Sequence, residues 1–243
     1  MRIKKPEHYS ISKANDYISD ICIFILKQSG LYTFEGNPQT HRGKTIEYVA
    51  ELIFTGQYSL YDLKKMAQEY WCQLDIDTDH KDYRKECASL DEFISNVRKL
   101  YFKVDDKYLT SQKKIVCPFP QVSLPFIGYI DFEFANSIRD LKTTRVIPSK
   151  VPKSIQRQLS LYSFATGKQA WVDFVSPKKT VSYLIEDVEN TIDEIIEIGK
   201  CLDNFYELSD DPRDLAKIFY PNFDDWRWDE ELKNKSKLLW SIK

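Results

Sequence analysis

Residues 128–144 read GYIDFEFANSIRDLKTT, and this stretch decides the fold. Tyr129–Phe134 alternates, with Ile130, Phe132 and Phe134 on one face and Tyr129, Asp131 and Glu133 on the other. That period of two belongs to a half-buried β-strand. Ile138–Thr144 alternates as well and puts Asp140 and Lys142 on one face. Ala135-Asn136-Ser137 supplies the turn between them, because Asn tolerates the left-handed backbone that a tight turn needs.

The register of this hairpin carries the chemistry. A two-residue loop at Ala135-Asn136 sets Asp131 opposite Asp140, and a four-residue loop sets Asp131 opposite Lys142. Either one gathers two carboxylates and an ammonium on one face, whereas an odd loop without a bulge turns Asp131 away. Two carboxylates that close are poorly stable as anions unless a cation sits between them. Oxygen ligands beside a Lys suit Mg²⁺ or Mn²⁺ better than Zn²⁺. A Lys at that place can hold or deprotonate a water, and the set is suited to phosphodiester hydrolysis.

Three segments stand in order: Gly128-Tyr129-Ile130-Asp131, then Asp140-Leu141-Lys142-Thr143-Thr144, then Gln158-Leu159-Ser160-Leu161-Tyr162. Together they resemble the PD-(D/E)XK nuclease superfamily, and most of all the branch with the RecB nuclease domain and the lambda-type phage exonucleases. There a G-x-x-D strand precedes a (D/E)-x-K strand, and a helix carrying Q-x-x-x-Y follows. Arg42-Gly43-x-x-x-Glu47 resembles the first motif of the lambda-exonuclease-like members, in which a helical Glu reaches the metal. In many RecB-like relatives a His stands there; this chain has Glu47, with His41 ahead of the expected helix.

The resemblance implies an α/β fold, a restriction-endonuclease-like mixed sheet flanked by helices, with extra helices at both ends. It implies a single domain over 1–243, with core motifs at 43–175 and helical additions at 1–110 and 181–243. The implied activity is that of a metal-dependent deoxyribonuclease, an exonuclease of recombination, repair or phage DNA processing. A structure-selective endonuclease and a non-catalytic nucleic-acid-binding relative are the alternatives. Asp131, Asp140 and the Leu141 carbonyl are implied to hold Mg²⁺ or Mn²⁺, with Glu47 joining directly or through water. Lys142 would orient the attacking water and offset developing charge. Gln158 would position water or phosphate, and Tyr162 would pack beside it. DNA is the implied partner, with a single-strand-annealing recombination protein beside it, and the oligomeric state is left open.

Composition narrows the classes. Hydrophobic residues at 42% and charged residues at 30% make an ordinary globular mix. Cys22, Cys72, Cys87, Cys117 and Cys201 lie far apart. That argues against a zinc ribbon or an iron–sulfur cluster, and an odd count without a secretory signal points to a reducing compartment. With no apolar run of membrane-spanning length, no membrane is expected, and the location is expected to be cytoplasmic, in a host cell if phage-encoded. The net charge of −2 is unevenly spread. Arg139, Lys142, Arg145, Lys150, Lys153 and Arg157 share their stretch with a single acid, Asp140. Such a local field serves phosphate binding whatever the total charge. Arg42, Arg145, Lys150, Lys153 and Arg157 are the expected DNA contacts.

The remaining elements follow from periodicity and caps. Ser10 or Ser12 caps a helix over Lys13–Lys27. Gly30–Gly43 reads as a loop with a turn at Gly36-Asn37-Pro38, followed by a helix over Lys44–Phe54 with Glu51 at the surface. Helices are predicted over Leu60–Leu74 and Lys81–Phe102, joined by a loop holding Asp75, Asp77, Asp79 and His80. A strand runs from Lys113 to Leu124, and Pro118 and Pro120 mark it as an edge or a bend. Lys153–Thr166 is a helix closed by Gly167. Gln169–Val175 is a buried strand, Val181–Leu208 a long helix, and Leu215–Leu239 a Trp-rich close.

Overall fold

The computed structural model describes residues 2–33, 36–74 and 77–240. Asp75 of the acidic loop lies outside the described residues. The helices are α1 (Ile11–Ser19), α2 (Ile21–Gln28), α3 (Pro38–Thr55), α4 (Leu60–Gln73), α5 (Tyr83–Ala88), α6 (Leu90–Tyr101), α7 (Lys153–Thr166), α8 (Val188–Leu208), α9 (Pro212–Ile218) and α10 (Glu230–Ser236). The strands are β1 (Tyr108–Cys117), β2 (Phe126–Phe134), β3 (Ser137–Thr143), β4 (Gln169–Val175) and β5 (Thr180–Leu184). Two compact units share them: residues 1–34, 116–128 and 189–243 form one, and residues 35–115 and 129–188 the other.

The second unit is α/β. Its mixed sheet has the order β1-β2-β3-β4-β5. β2 and β3 are antiparallel, with Phe132 opposite Arg139 and Glu133 opposite Ile138. That is the register of the shorter turn, Ala135-Asn136. β3 and β4 are parallel from Ser137 beside Gln169 to Thr143 beside Val175. A parallel pair needs a crossover, and α7 supplies it. β5 returns antiparallel along β4.

Alternation along the strands sorts the two faces. Phe132, Phe134 and Leu141 join a buried cluster with Ile46, Val49 and Ala50 of α3, Trp71 of α4, and Phe93, Ile94 and Val97 of α6. Phe54 stacks on Tyr108 at 4.9 Å and meets Phe132 and Phe134 edge-on at 5.2 and 5.1 Å. Each such side chain contributes about 1.5–3 kcal/mol on burial. Asp140 stands on the opposite face, toward α7.

Several boundaries differ from expectation. Lys13–Lys27 is not one helix: Asp20 interrupts it, and its side chain caps the backbone N–H groups of Cys22 and Ile23 to start α2. The supposed turn at Gly36-Asn37-Pro38 is a helix start. Asn37 accepts from Thr40 N and Pro38 takes the first turn, so His41, Arg42 and Gly43 lie inside α3. Lys81–Phe102 breaks at Ser89 into α5 and α6. Val181–Leu184 is strand, paired with β4, and α8 begins only at Val188. β1 starts at Tyr108 and stops at Cys117, ahead of both prolines, and it is a sheet edge. α7 and β4 match their expected limits, and Gly167 closes α7 at φ +68°.

In the first unit, Phe24 packs edge-on against Phe205 at 5.2 Å, and Tyr17 does so at 5.7 Å. Tyr9 donates its hydroxyl to Asp203 at 2.8 Å, which also accepts from Ser123 N. Gly199 lets α8 approach Val122, since a Cβ there would lie 2.7 Å from a valine methyl. Trp228 and Trp240 are buried, while Trp226 is exposed.

Candidate functional site

β3 delivers the central charges. Leu141 points into the core and is 2% exposed, so its neighbours Asp140 and Lys142 share the other face. Lys142 Nζ lies 2.7 and 2.9 Å from the two carboxylate oxygens of Asp140, which is 1% exposed. The adjacent strand brings Asp131, whose Oδ2 accepts the Leu141 N–H at 3.2 Å. Burial and the Asp140 charge push the Asp131 carboxyl well above the usual range, and Lys142 only partly opposes them.

α3 adds Glu47. Burial raises its carboxyl, Lys142 pulls it back, and Asp140 raises it further. For Lys142, burial alone would favour losing the proton. Asp140, Asp131 and Glu47 outweigh it, so the ammonium holds its proton more firmly than usual. Glu51, expected at the surface, is half-buried and accepts the Ser111 hydroxyl at 2.5 Å.

α7 covers the same charges. Gln158 Nε2 donates to Asp140 Oδ1 at 3.3 Å and contacts the Tyr162 hydroxyl at 3.2 Å. That hydroxyl accepts the Tyr129 N–H at 3.3 Å. The Q-x-x-x-Y spacing is one helical turn, so both groups address the hairpin from one side. Tyr162 is buried, and burial raises its phenol.

The basic residues part company with expectation. Arg42, expected to contact DNA, is 4% exposed. It is paired with the buried Glu86, donates to Thr143 O at 3.2 Å, and lies 4.7 Å over the Phe93 ring. Arg145 donates to Glu86 Oε1, Ser89 Oγ and Lys85 O at 3.0, 3.0 and 3.2 Å. Arg139 is bound to the fully buried Asp173 at 2.8 Å. Half of the basic strip therefore serves carboxylates of the protein itself. Lys150 and Lys153 are exposed, and Arg157 is half-buried.

Glu86 is the residue that sequence reading passed over. It holds guanidiniums from α3 and from the segment after β3, and so fixes the helix of Glu47 against the strand of Lys142. In sequence it is one charge in a charged run, and no local pattern marks it for burial.

Does the site suit a divalent cation? Asp140 Oδ2 is buried and accepts no hydrogen bond of good geometry. Asp131 and Glu47 are both raised, by burial first and by neighbouring carboxylates after it. A cation relieves both conditions, and the donors are hard oxygens. Asp131 and Asp140 fit this demand. Among the described residues, no group of three or more His, Cys, Asp and Glu side chains is gathered closely enough to hold a metal.

No family model matches the chain, and no curated protein is significantly similar to it. Among solved structures, a crystal structure of SSO0001 aligns with 11% identity over 74% of this chain and 92% of that one, at a TM-score of 0.39. A likeness of that size assigns no fold, and nothing further is drawn from it.

Proposed function

We propose that this chain is a metal-dependent deoxyribonuclease that degrades DNA from its ends. One observation carries the reading: two carboxylates and an ammonium meet on one face of a hairpin, with a third carboxylate that burial and the Asp140 charge raise. Such an excess of buried negative charge is costly for a scaffold and useful for a cation site.

Asp131, Asp140 and the Leu141 carbonyl would hold Mg²⁺ or Mn²⁺, with Glu47 joining through water. Such an ion supplies Lewis-acid polarisation of a phosphate and a more acidic water. Lys142 would orient the nucleophile and offset charge on the phosphate. Gln158, bonded to Asp140 and to Tyr162, holds the carboxylate in place. Tyr162 fixes the Gln158 amide against the Tyr129 backbone. Arg42 and Glu86 act behind the site, on geometry alone.

End-labelled linear DNA and covalently closed circles, incubated with Mg²⁺, Mn²⁺ or EDTA, test this. Linear DNA should be degraded with either metal and spared in EDTA, with circles intact. Strong cleavage in EDTA would overturn the mechanism, and cut circles would favour the endonuclease. Lys142→Ala should lower the Mg²⁺-dependent rate about 10²–10³-fold, the scale of one lost transition-state donor. Its DNA affinity should stay within a few-fold of wild type, because one charge is a small share of the phosphate attraction.

A further inference from the structure

β1 carries a kink that the hairpin chemistry does not use. Gln112 sits mid-strand at φ +50°. A non-glycine residue is held in that left-handed region only where its surroundings over-determine it, and such positions cluster at ligand clamps. Here the restraint is visible: the preceding Ser111 is tied by its hydroxyl to Glu51 on α3 at 2.5 Å.

At the kink lies a cleft of about 220 Å³. Lys44, Glu47, Tyr48, Glu51, Tyr70 and Gln112 are among the residues that line it. Tyr48 and Tyr70 are stacked, with ring centres 4.5 Å apart and planes 14° from parallel. They give the cleft a rigid aromatic wall. Gln112 brings an amide that both donates and accepts, and Glu51 brings an acceptor. Pockets for drug-sized ligands run to roughly 300–1,000 Å³, so this one is scaled to a single ring system. Its two carboxylates outnumber the single ammonium of Lys44, and that balance disfavours a phosphate. An aromatic wall with polar groups at its edge is how proteins hold an unpaired base.

We infer that this cleft is a nucleobase subsite. It takes one unpaired base of a DNA strand and holds it beside Glu47, which belongs to both the cleft and the charged site. Glu51 accepts and does not donate, so bases with an exocyclic amino group are preferred over thymine. A base can enter only after leaving the duplex. The substrate is therefore single-stranded DNA or a frayed end. The placement next to the reacting phosphate rests on the nuclease reading; the capture of a base does not.

Single-stranded oligonucleotides carrying 2-aminopurine at successive positions test the subsite, with fluorescence read in EDTA so that no cleavage intervenes. Wild type should quench the probe strongly at one position, and oligo(dC) should compete better than oligo(dT). Tyr48→Ala should weaken the quenched complex about 5-fold or more, the scale of one lost base–aromatic stack. Tyr48→Phe should restore it. Gln112→Gly suits the left-handed backbone and removes only the side chain. It should keep the quench and shrink the difference between the two competitors. Uniform quenching along the oligonucleotide, quenching unaltered in Tyr48→Ala, or a difference between the two competitors unaltered in Gln112→Gly would overturn the subsite. Should Tyr48→Ala fail to fold, the position scan and Gln112→Gly still decide. Position-specific quenching with no metal-dependent cleavage would sink the nuclease reading and leave the subsite standing. Cleavage without it would do the reverse.

Discussion

Two groups of buried charge flank the end of β3, and they are built to opposite rules. On one side Glu86 lies between Arg42 and Arg145, with Ser89 and the Thr143 carbonyl taking further donors. Each acceptor there meets a donor. On the other side Asp131, Asp140 and Glu47 share one ammonium, and Asp140 Oδ2 accepts no well-formed hydrogen bond. The first group spends its charge on holding α3 against β3. The second keeps its demand open. A buried carboxylate met by two cations marks a fixed joint, even with Arg42 Nε left without an acceptor, and carboxylates that share one cation mark where something else belongs.

The contrast is broken or sharpened by opposite stability effects. Removing Glu86 strands two guanidiniums, one of them buried. Glu86→Ala should cost about 3–5 kcal/mol, the scale for breaking a buried pair from one side. Urea denaturation measures it, and a loss under about 1 kcal/mol would mean the cluster is no joint. Asp131→Asn should act the other way in metal-free protein, because it removes a carboxylate that burial and Asp140 disfavour. The melting temperature should rise, by about 2–4 °C for each kcal/mol relieved. A fall would show that the charged form is supported after all.

The same difference has a pH signature. The folded values of Asp131 and Glu47 are raised, so the native state keeps their protons longer than the unfolded chain does. Their contribution favours folding below the ordinary carboxylate value of about 4 and is lost as pH climbs through the raised values. Melting in EDTA across that window should show wild type losing stability relative to Asp131→Asn as pH rises. Parallel curves would refute the raised values. The smallest effect belongs to the surface. Exchanging Lys150 and Lys153 for Gln should reduce the salt dependence of DNA binding by about two counterions, whereas Arg42→Gln should leave that slope alone. An altered slope for Arg42→Gln would mean the buried guanidinium reaches DNA.

Legibility followed the range of the interactions. α7 and β4 have readable ends because their signals are local, a left-handed Gly167 and a run of β-branched and aromatic residues. The hairpin was readable for the same reason, though its loop length was not: both even registers satisfied the alternation. β5 was misread because Thr180–Leu184 is short and only its partner β4 makes it a strand. The break at Asp20 is a single cap and the break at Ser89 a hydroxyl turned back to Glu86 O, each within otherwise continuous periodicity. Asp140, Lys142 and Gln158 stood in a recognisable spacing. The fate of Arg42, Arg139 and Arg145 did not, because burial of a guanidinium is decided by carboxylates at Glu86 and Asp173 that are far away in sequence.

The interleaving of the two units has a consequence for biosynthesis. The sheet-bearing unit is complete once residue 188 has been made, while the other unit begins with residues 1–34 and needs residues 189–243 to finish. On a ribosome adding about 5–20 residues per second, the charged hairpin and its helices can settle while the N-terminal segment still waits for residues 189–243. During that interval the apolar faces of α1 and α2 lack Phe205, the ring against which Tyr17 and Phe24 pack. The vulnerable species in synthesis is thus a finished α/β unit trailing an unfinished helical one, and ribosome-stalled chains that expose residue 188 but not Phe205 should draw chaperones to their N-terminal segment.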